Sequence, residues 1–283
     1  MGINKEESAL AYTQRVLRYG GHAKKSLGQN FLIDDQVIEG IIEEGIPTGQ
    51  FPIVEIGPGP GGLTRALLRK RQQHLWAVEL DQEKIGILKK EFLQKEVTLL
   101  HMDALKLQLA ELWGEEKGWL IGNLPYYITN PLLMHYLNQK KSLLGMTVMV
   151  QKEVGDRMTA NPGSKDYGIL SIAVQLLAET KKIFEVKPTA FWPQPKVTSA
   201  VLKMEIRSYP GFDADYKIFF KVVKACFSQR RKTIHNTLSS GLGLSKGEIS
   251  EILSRAEVNE KNRAENISIE EFQKITNFYR EHL

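Results

Sequence analysis

The chain predicts an α/β fold, a parallel sheet covered by helices, followed by a small all-helical C-terminal domain. Three observations predict it. Short β-branched runs alternate with helix-length amphipathic stretches between residues 52 and 151, the pattern of strands buried on both faces. A glycine-rich turn at 57–62 joins the first of these runs to the helix after it. Beyond Tyr209-Pro210-Gly211 the strand pattern stops, and helical periodicity alone continues from about Tyr216 to the end.

In chain order, residues 8–19 read as an amphipathic helix, and 20–25 as a glycine-rich basic turn. Residues 34–45 read as a helix capped by Asp34 or Asp35. Residues 52–56 are a buried strand, 63–71 a helix, 76–80 a second strand and 81–94 a second helix. Strands follow at 97–101, 119–122 and 145–151. A helix is expected over 169–180, then strands at 181–187 and 197–206, separated by the proline-stiffened loop Phe191-Trp192-Pro193-Gln194-Pro195-Lys196. The expected domains are 1–207 and 208–283.

A length of 283 residues suits one large and one small domain, and 42% hydrophobic with 25% charged residues is ordinary for a soluble globular protein. No apolar run reaches the length of a membrane span. Residues 1–7 carry two glutamates and no apolar core, so they do not read as a secretory signal. The single cysteine, Cys226, cannot form an internal disulfide and fits a reducing cytoplasm; in its apolar-periodic helix it reads as a buried thiol. The six histidines show no metal-ligand spacing, so no metal is expected. A net charge of +5 and a pI near 9.0 lean towards nucleic acid. Two clusters carry that charge: Arg15, Arg18, His22, Lys24 and Lys25, and then Arg230-Arg231-Lys232. The second reads either as phosphate contacts or as a solvated helix face.

Gly57-Pro58-Gly59-Pro60-Gly61-Gly62 contains G-x-G-x-x-G after a strand and before a helix, which alone is a dinucleotide fingerprint. Pro58 and Pro60 remove two N–H donors that a pyrophosphate would use. S-adenosylmethionine, with a ribose and an adenine but no phosphate, fits such a turn better. Glu79, ending the second strand, would accept from ribose hydroxyls. Asp103, after the third strand, would accept from the cofactor's adenine amino group, or else cap a short helix at 104–107. Glu55, before the turn, is placed to orient the methionine amino group.

Asn123-Leu124-Pro125-Tyr126-Tyr127 follows the apolar run 119–122. The Asn123 side-chain oxygen and the Leu124 carbonyl can both accept from the exocyclic amino group of a base, while Tyr126 offers a ring for stacking. Two acceptors would draw the hydrogens of such an amino group out of plane and expose its lone pair, so that positioning and electrostatics carry the reaction without a strong general base. Phe191 reads either as the opposite jaw of a base clamp or, with Trp192, as a hydrophobic plug. Any group added to that nitrogen would need room beside it, for which Gly122 and Leu124 are the candidates.

Four segments together, Gly28-Gln29-Asn30-Phe31-Leu32, the run from Glu55 to Thr64, Asn123-Leu124-Pro125-Tyr126-Tyr127 and Phe191-x-Pro193-x-Pro195-x-Val197-x-Ser199-x-Val201, closely resemble the ribosomal RNA adenine dimethyltransferases. The resemblance runs from about residue 24 to residue 240 and is greatest to the bacterial small-subunit members. It implies a Rossmann-like class I methyltransferase sheet with a small helical RNA-binding domain. It also implies conversion of two adjacent adenines in the 3′-terminal hairpin loop of 16S rRNA to N6,N6-dimethyladenosine, with a role in small-subunit maturation. Carried across, the cofactor contacts fall on Asn30, Leu32, Gly57, Glu79, Asp103 and Asn123, with Glu55 and Gly59 added from the glycine turn itself. The base pocket falls on Asn123, Leu124, Tyr126 and Phe191. The basic clusters, read from charge alone, put the expected RNA contacts on Lys24, Lys25, Arg230, Arg231 and Lys232. The expected protein is a cytoplasmic monomer that acts on 16S rRNA within the small ribosomal subunit or its precursor, without a membrane. Two alternatives stand beside it: a 23S rRNA adenine methyltransferase of the antibiotic-resistance type, and a noncatalytic RNA-binding assembly or transcription factor on the same fold.

Overall fold

The computed structural model describes residues 7–18, 21–70, 74–92 and 97–283. The chain forms two compact units, Met1–Gly155 with Glu179–Ile206, and Asp156–Ala178 with Arg207–Leu283.

The first unit runs α1 (Ala9–Leu17), β1 (Phe31–Leu32), α2 (Asp35–Gly45), β2 (Ile53–Ile56), α3 (Gly62–Lys70), β3 (Leu75–Glu79), α4 (Gln82–Glu91), β4 (Val97–His101), α5 (Leu109–Trp113), β5 (Gly118–Asn123), α6 (Thr129–Leu137) and β6 (Leu143–Gln151). Helices α7 (Lys152–Thr159) and α8 (Ile169–Gln175) follow, and then β7 (Ala178–Val186), β8 (Phe191–Trp192) and β9 (Ser199–Ile206). Seven strands make one sheet in the order β4-β3-β2-β5-β6-β9-β7. Pairs β3–β4, β2–β3, β2–β5 and β5–β6 are parallel, and β6–β9 is antiparallel. Strand order therefore reverses at β2, and the carboxyl ends of β2 and β5 flank the crevice where such sheets bind ligands.

β2 is buried along its whole length. Gly122 lets β5 lie against its end, because a Cβ there would sit 2.6 Å from the Ile56 carbonyl oxygen. Trp119 Nε1 donates to Thr147 Oγ1 at 2.9 Å, and Thr147 donates to the Gly45 carbonyl at 2.8 Å, which ties β5, β6 and the end of α2 together. β1 and β8 form a separate antiparallel pair that sets Leu32 opposite Phe191. Asp34, rather than Asp35, caps α2 by accepting from the Val37 amide at 3.1 Å.

The second unit packs α8 with α9 (Tyr216–Cys226), α10 (Ile234–Leu242), α11 (Lys246–Arg255) and α12 (Ile269–Arg280) around Phe219, Ile249 and Phe272. Capping boxes Ser245/Glu248 and Ser268/Glu271 start α11 and α12. Cys226 is buried in this core, and burial pushes its thiol far above the ordinary range.

The structure differs from the sequence expectation in three places. Residues 156–178 pack in the second unit, since Tyr167, Ile172 and Leu176 share its core; the chain crosses between units three times, and only the last crossing lies near the boundary expected at 208. The helix expected over 169–180 stops at Gln175, and residues 178–180 already belong to a nine-residue strand. Helices α5, α6 and α7 were not expected. Pro131 stands in the first turn of α6, where its missing N–H costs nothing. Residues 19–20, 71 and 93–94, included in expected helices or turns, lie outside the described residues.

Candidate active site

The glycine turn is closed on itself. Gly57, Gly59 and Gly61 have φ of 70°, 56° and 99°, which a side chain would strain. Their amides are all used within the protein: Gly57 donates to Val78 O at 2.9 Å, Gly59 to Glu79 Oε2 at 3.0 Å, and Gly61 to Pro58 O at 3.0 Å. Pro58 and Pro60 have no N–H to offer. The turn thus approaches a ligand without caging phosphates. From α1, Tyr12 donates its hydroxyl to Pro60 O at 3.0 Å and seats that helix on the turn.

Three acids, Glu55, Glu79 and Asp103, stand at or just beyond the carboxyl ends of β2, β3 and β4. Glu79 is 6% exposed, and besides Gly59 it accepts from the Asp81 amide through Oε1 at 2.8 Å. Burial pushes its carboxyl up; the Asp81 and Gly59 amides pull it down, and it remains above the ordinary carboxylate value. Each oxygen keeps a lone pair for a ligand hydroxyl. Asp103 accepts from the Leu105 amide through Oδ1 at 2.9 Å, capping the 3₁₀ turn Ala104–Lys106 as the capping alternative has it, and it also lines the cleft. Tyr136 holds that turn by donating to Ala104 O at 2.7 Å. Glu55 is 2% exposed and accepts from Thr64 Oγ1 at 2.6 Å. Burial pushes its carboxyl up to about 8 against that hydrogen bond.

Two adjoining cavities run along these strand ends. One is lined by Gly59, Glu79, Asp103 and the loop 123–128, the other by Leu32, Glu55 and Thr147; Asn30, Gly57 and Asn123 line both. Every residue expected to bind cofactor lines one or the other. The lining offers carboxyl acceptors at the end of β3 and just after β4, suited to a ribose and an adenine amino group, and a carboxyl on β2 suited to an ammonium group.

The base loop begins at the last residue of β5. Asn123 Nδ2 donates to Asn30 O at 2.9 Å, and Asn30 Nδ2 donates to Gly28 O at 3.2 Å. Among the described residues, neither Asn123 Oδ1 nor the Leu124 carbonyl accepts a hydrogen bond from the protein. The Leu124 amide donates to Met149 O at 3.1 Å, and Thr129 Oγ1 donates to Pro125 O at 3.0 Å, which fixes the loop at both ends. Tyr126 is half-buried, and its hydroxyl lies 2.7 Å from Ser199 Oγ; burial pushes the phenol up and Ser199 pulls it down, with a net rise. Sequence reasoning missed the pairing of Ser199 with Tyr126 and that of Thr64 with Glu55, though both residues stand in the segments quoted for the resemblance.

Three expectations are corrected. Phe191 is 1% exposed, lines neither cavity, and packs in the core with Leu32, Met149 and Val201. The pairing of β8 with β1 draws its ring inward, so it presents no face to a base; Trp192, expected as part of a plug, is instead 40% exposed. Gly122 leaves no room for an added methyl, since its missing side chain is filled by the backbone of Ile56. Lys24 is not a free cation: its Nζ lies 2.8 Å from Asp81 Oδ1 and 3.3 Å from Glu83 Oε1. Lys25 is exposed. Arg230, Arg231 and Lys232 are exposed in the turn between α9 and α10 rather than on a helix face, and Arg230 donates to Lys165 O at 3.0 Å.

A glycine turn whose Gly57, Gly59 and Gly61 amides are already taken, beside a loop with two unused acceptors, defines the class: an S-adenosylmethionine-dependent methyltransferase that acts on nitrogen. The family model described as ribosomal RNA adenine dimethylase matches residues 20–281. "Ribosomal RNA small subunit methyltransferase A" of Desulfitobacterium hafniense is 60% identical over 270 residues, covering 95% of this chain and 97% of that protein. Its namesake in Bacillus licheniformis is 41% identical over 290 residues, covering 99% of each. In solved structures the fold recurs in a dimethyladenosine transferase from Plasmodium falciparum, with a TM-score of 0.76 and 23% identity over 89% of this chain and 98% of that one. It recurs also in the 23S rRNA methyltransferase ErmE, with a TM-score of 0.70 and 23% identity over 88% and 99%. The chain belongs to the ribosomal RNA adenine dimethylase family, and it is an S-adenosylmethionine-dependent methyltransferase of ribosomal RNA.

Proposed function

We propose that the protein methylates N6 of two adjacent adenines in the 3′-terminal hairpin loop of 16S rRNA to N6,N6-dimethyladenosine, as a monomer acting in the cytoplasm on the small subunit or its precursor during maturation. The single observation that carries the chemistry is the Asn123 amide, held by the Asn30 carbonyl with its own oxygen free.

The cofactor supplies an electrophilic methyl group on a sulfonium. Glu79 and Asp103 accept from its ribose and adenine, Glu55 meets its ammonium, and Asn30, Leu32, Gly57 and Gly59 shape the walls. Asn123 Oδ1 and the Leu124 carbonyl accept the two N6 hydrogens and draw the nitrogen lone pair out of conjugation with the ring. Tyr126, steadied by Ser199, stacks on the base. As the N–CH3 bond forms, the S–CH3 bond would break to leave the neutral thioether, and the cationic nitrogen would then lose one proton to solvent; the single N6 hydrogen that remains can be held by either acceptor for the second transfer. The helical unit formed by residues 156–178 and 207–283 binds RNA, with Arg230, Arg231 and Lys232 at phosphates, and Lys25 is a further contact. The small-subunit substrate is supported by relatives named for that subunit at 60% and 41% identity.

The test is methyl transfer to small ribosomal subunits from cells lacking the protein, set against isolated 23S RNA. Incorporation into the small subunit alone is expected; incorporation into 23S RNA alone contradicts the assignment.

A further inference from the structure

Beside the cofactor-side cavity lies a buried charge cluster that the chemistry above does not use. The side chains of Asp81 and Lys84 are both fully buried, with Lys84 Nζ 3.7 Å from Asp81 Oδ2. Asp81 gathers four groups. Its Oδ1 accepts from Lys24 Nζ at 2.8 Å and from the Glu83 amide at 3.0 Å; its Oδ2 accepts from Gln29 Nε2 at 3.0 Å and faces Lys84. Gln29 closes the ring by accepting from the Lys24 amide through Oε1 at 2.9 Å. Lys84 Nζ also donates to His22 O at 3.2 Å and lies 5.6 Å from the centre of the Phe31 ring. The chain passes so close over this ammonium that a Cβ at Gly21 would stand 2.7 Å from it.

The Glu83 amide bond caps α4, while the contacts to His22, Lys24, Gln29 and Phe31 all fall on one segment. Residues 22–31 contain no helix longer than the three-residue turn Lys25–Leu27 and no strand residue before Phe31, so the Asp81 cluster supplies much of what fixes their path. The same segment forms one wall of the cofactor-side cavity through Leu27, Gly28, Gln29, Asn30 and Phe31, and Phe31 packs against Gly59 of the glycine turn. It ends at the carbonyl of Asn30 that orients Asn123. The Asp81 amide in turn donates to Glu79.

We propose that Asp81 is a positioning residue: its carboxylate latches residues 22–30 against the start of α4, closes the cofactor cavity on that side, and through Asn30 holds the Asn123 amide in register. The part concerning Asn123 rests on the base-gripping reading given above. Burial pushes the Asp81 carboxyl up, while Lys24, Gln29, the Glu83 amide and Lys84 bring it below the ordinary value, so the group stays charged and the latch closed at neutral pH. A buried ion pair of this kind does not need to add stability to be kept; its use is to select one arrangement of the chain.

Two full-length variants test it, Asp81→Asn and Lys24→Met. The first keeps the shape and the acceptor for the Glu83 amide but removes the charge, and the second removes one cation while keeping its stem. Amide hydrogen exchange, cofactor affinity by calorimetry and single-turnover methyl transfer are read on each. Asp81→Asn should speed exchange about tenfold or more across residues 22–30 while leaving α9–α12 unchanged. It should weaken cofactor binding about tenfold and slow transfer at saturating cofactor about tenfold, the scale of a small misplacement. Lys24→Met should move all three in the same direction by less. Unchanged exchange at 22–30 together with wild-type affinity and rate overturns the proposal. So does a lowered melting temperature with wild-type parameters per folded molecule, which is what a purely structural cluster gives. Asn123→Ala, run alongside, separates the two readings. If that variant keeps its rate, the base grip fails, while exchange and cofactor affinity still decide the latch.

Discussion

Asn123 Nδ2 donates to the carbonyl oxygen of Asn30 at 2.9 Å. A carbonyl can only accept, so this contact fixes which way the amide faces and leaves Oδ1 as the free end. The proposed acceptor is thus oriented by a neighbouring residue of the cavity lining that stands 93 positions earlier in the chain. Asn123→Ala should slow methyl transfer roughly 10²–10³-fold, the scale of losing one preorganised polar group. Asn123→Asp should lose nearly as much, because a carboxylate cannot donate to Asn30. A single-turnover rate for Asn123→Asp close to wild type would show that the Asn30 contact is irrelevant.

Glu79 joins the glycine turn to the strand end by accepting from Gly59 and Asp81. Glu79→Ala should weaken S-adenosylmethionine binding by about 1–3 kcal/mol, the cost of losing hydrogen bonds to a charged group. Calorimetry checks this, with NADH expected not to bind either protein because the turn has no amide donors left at Gly57, Gly59 or Gly61.

Glu55 gives a pH prediction with a definite sign. Its folded value of about 8 lies above the ordinary 4.5. Between the two, the folded protein keeps a proton that the unfolded chain has released. This contribution to stability is therefore full below about pH 4.5 and is lost as the pH rises through about 8. Glu55→Gln resembles the protonated acid at every pH. The melting temperature of the variant minus that of the wild type should climb steadily from about pH 5 to about pH 8 in cofactor-free protein. A difference that stays flat across this range contradicts a buried, neutral Glu55.

Tyr126 offers two separable contributions. Tyr126→Ala should lose base stacking of about 1–3 kcal/mol in substrate affinity. Tyr126→Phe should keep the stacking face and lose the Ser199 bond, at a cost of about 0.5–1.5 kcal/mol in stability. Equal substrate affinities for the alanine and phenylalanine variants would remove Tyr126 from the base pocket.

The exposed turn Arg230-Arg231-Lys232 tests the RNA-binding assignment of the helical domain. Replacing all three with glutamine should weaken subunit binding and flatten its dependence on salt, leaving cofactor affinity unchanged. An unaltered salt slope returns the turn to ordinary solvated surface.

Much of this site could be read from the chain because its key groups stand at strand ends. Glu55, Glu79 and Asn123 each close or nearly close a β-branched or apolar run that declares itself as a strand. Helices α5 to α7 did not declare themselves: α5 is five residues long, α6 opens on Thr129-Asn130-Pro131, and α7 is mostly polar. What stayed hidden depends on long-range pairing. Phe191 looked like a free aromatic in a proline-rich loop until its pairing with Leu32 drew it into the core. Lys24 looked like part of a basic surface until Asp81, far along the chain, claimed it. Local patterns carry periodicity and turn chemistry, whereas the partner of a single charge or ring is set by the assembled sheet.

The central claim is that the acceptors at Asn123 and Leu124 present an adenine N6 for two successive methylations. The most direct measurement is a time course on small ribosomal subunits from cells lacking the protein, with S-adenosylmethionine in excess, its spent form removed, and modified adenines quantified by mass. N6-methyladenosine should rise and fall while N6,N6-dimethyladenosine accumulates at two adjacent positions. Monomethyladenosine persisting as the sole end product, or methylation at a position other than N6, would contradict the account.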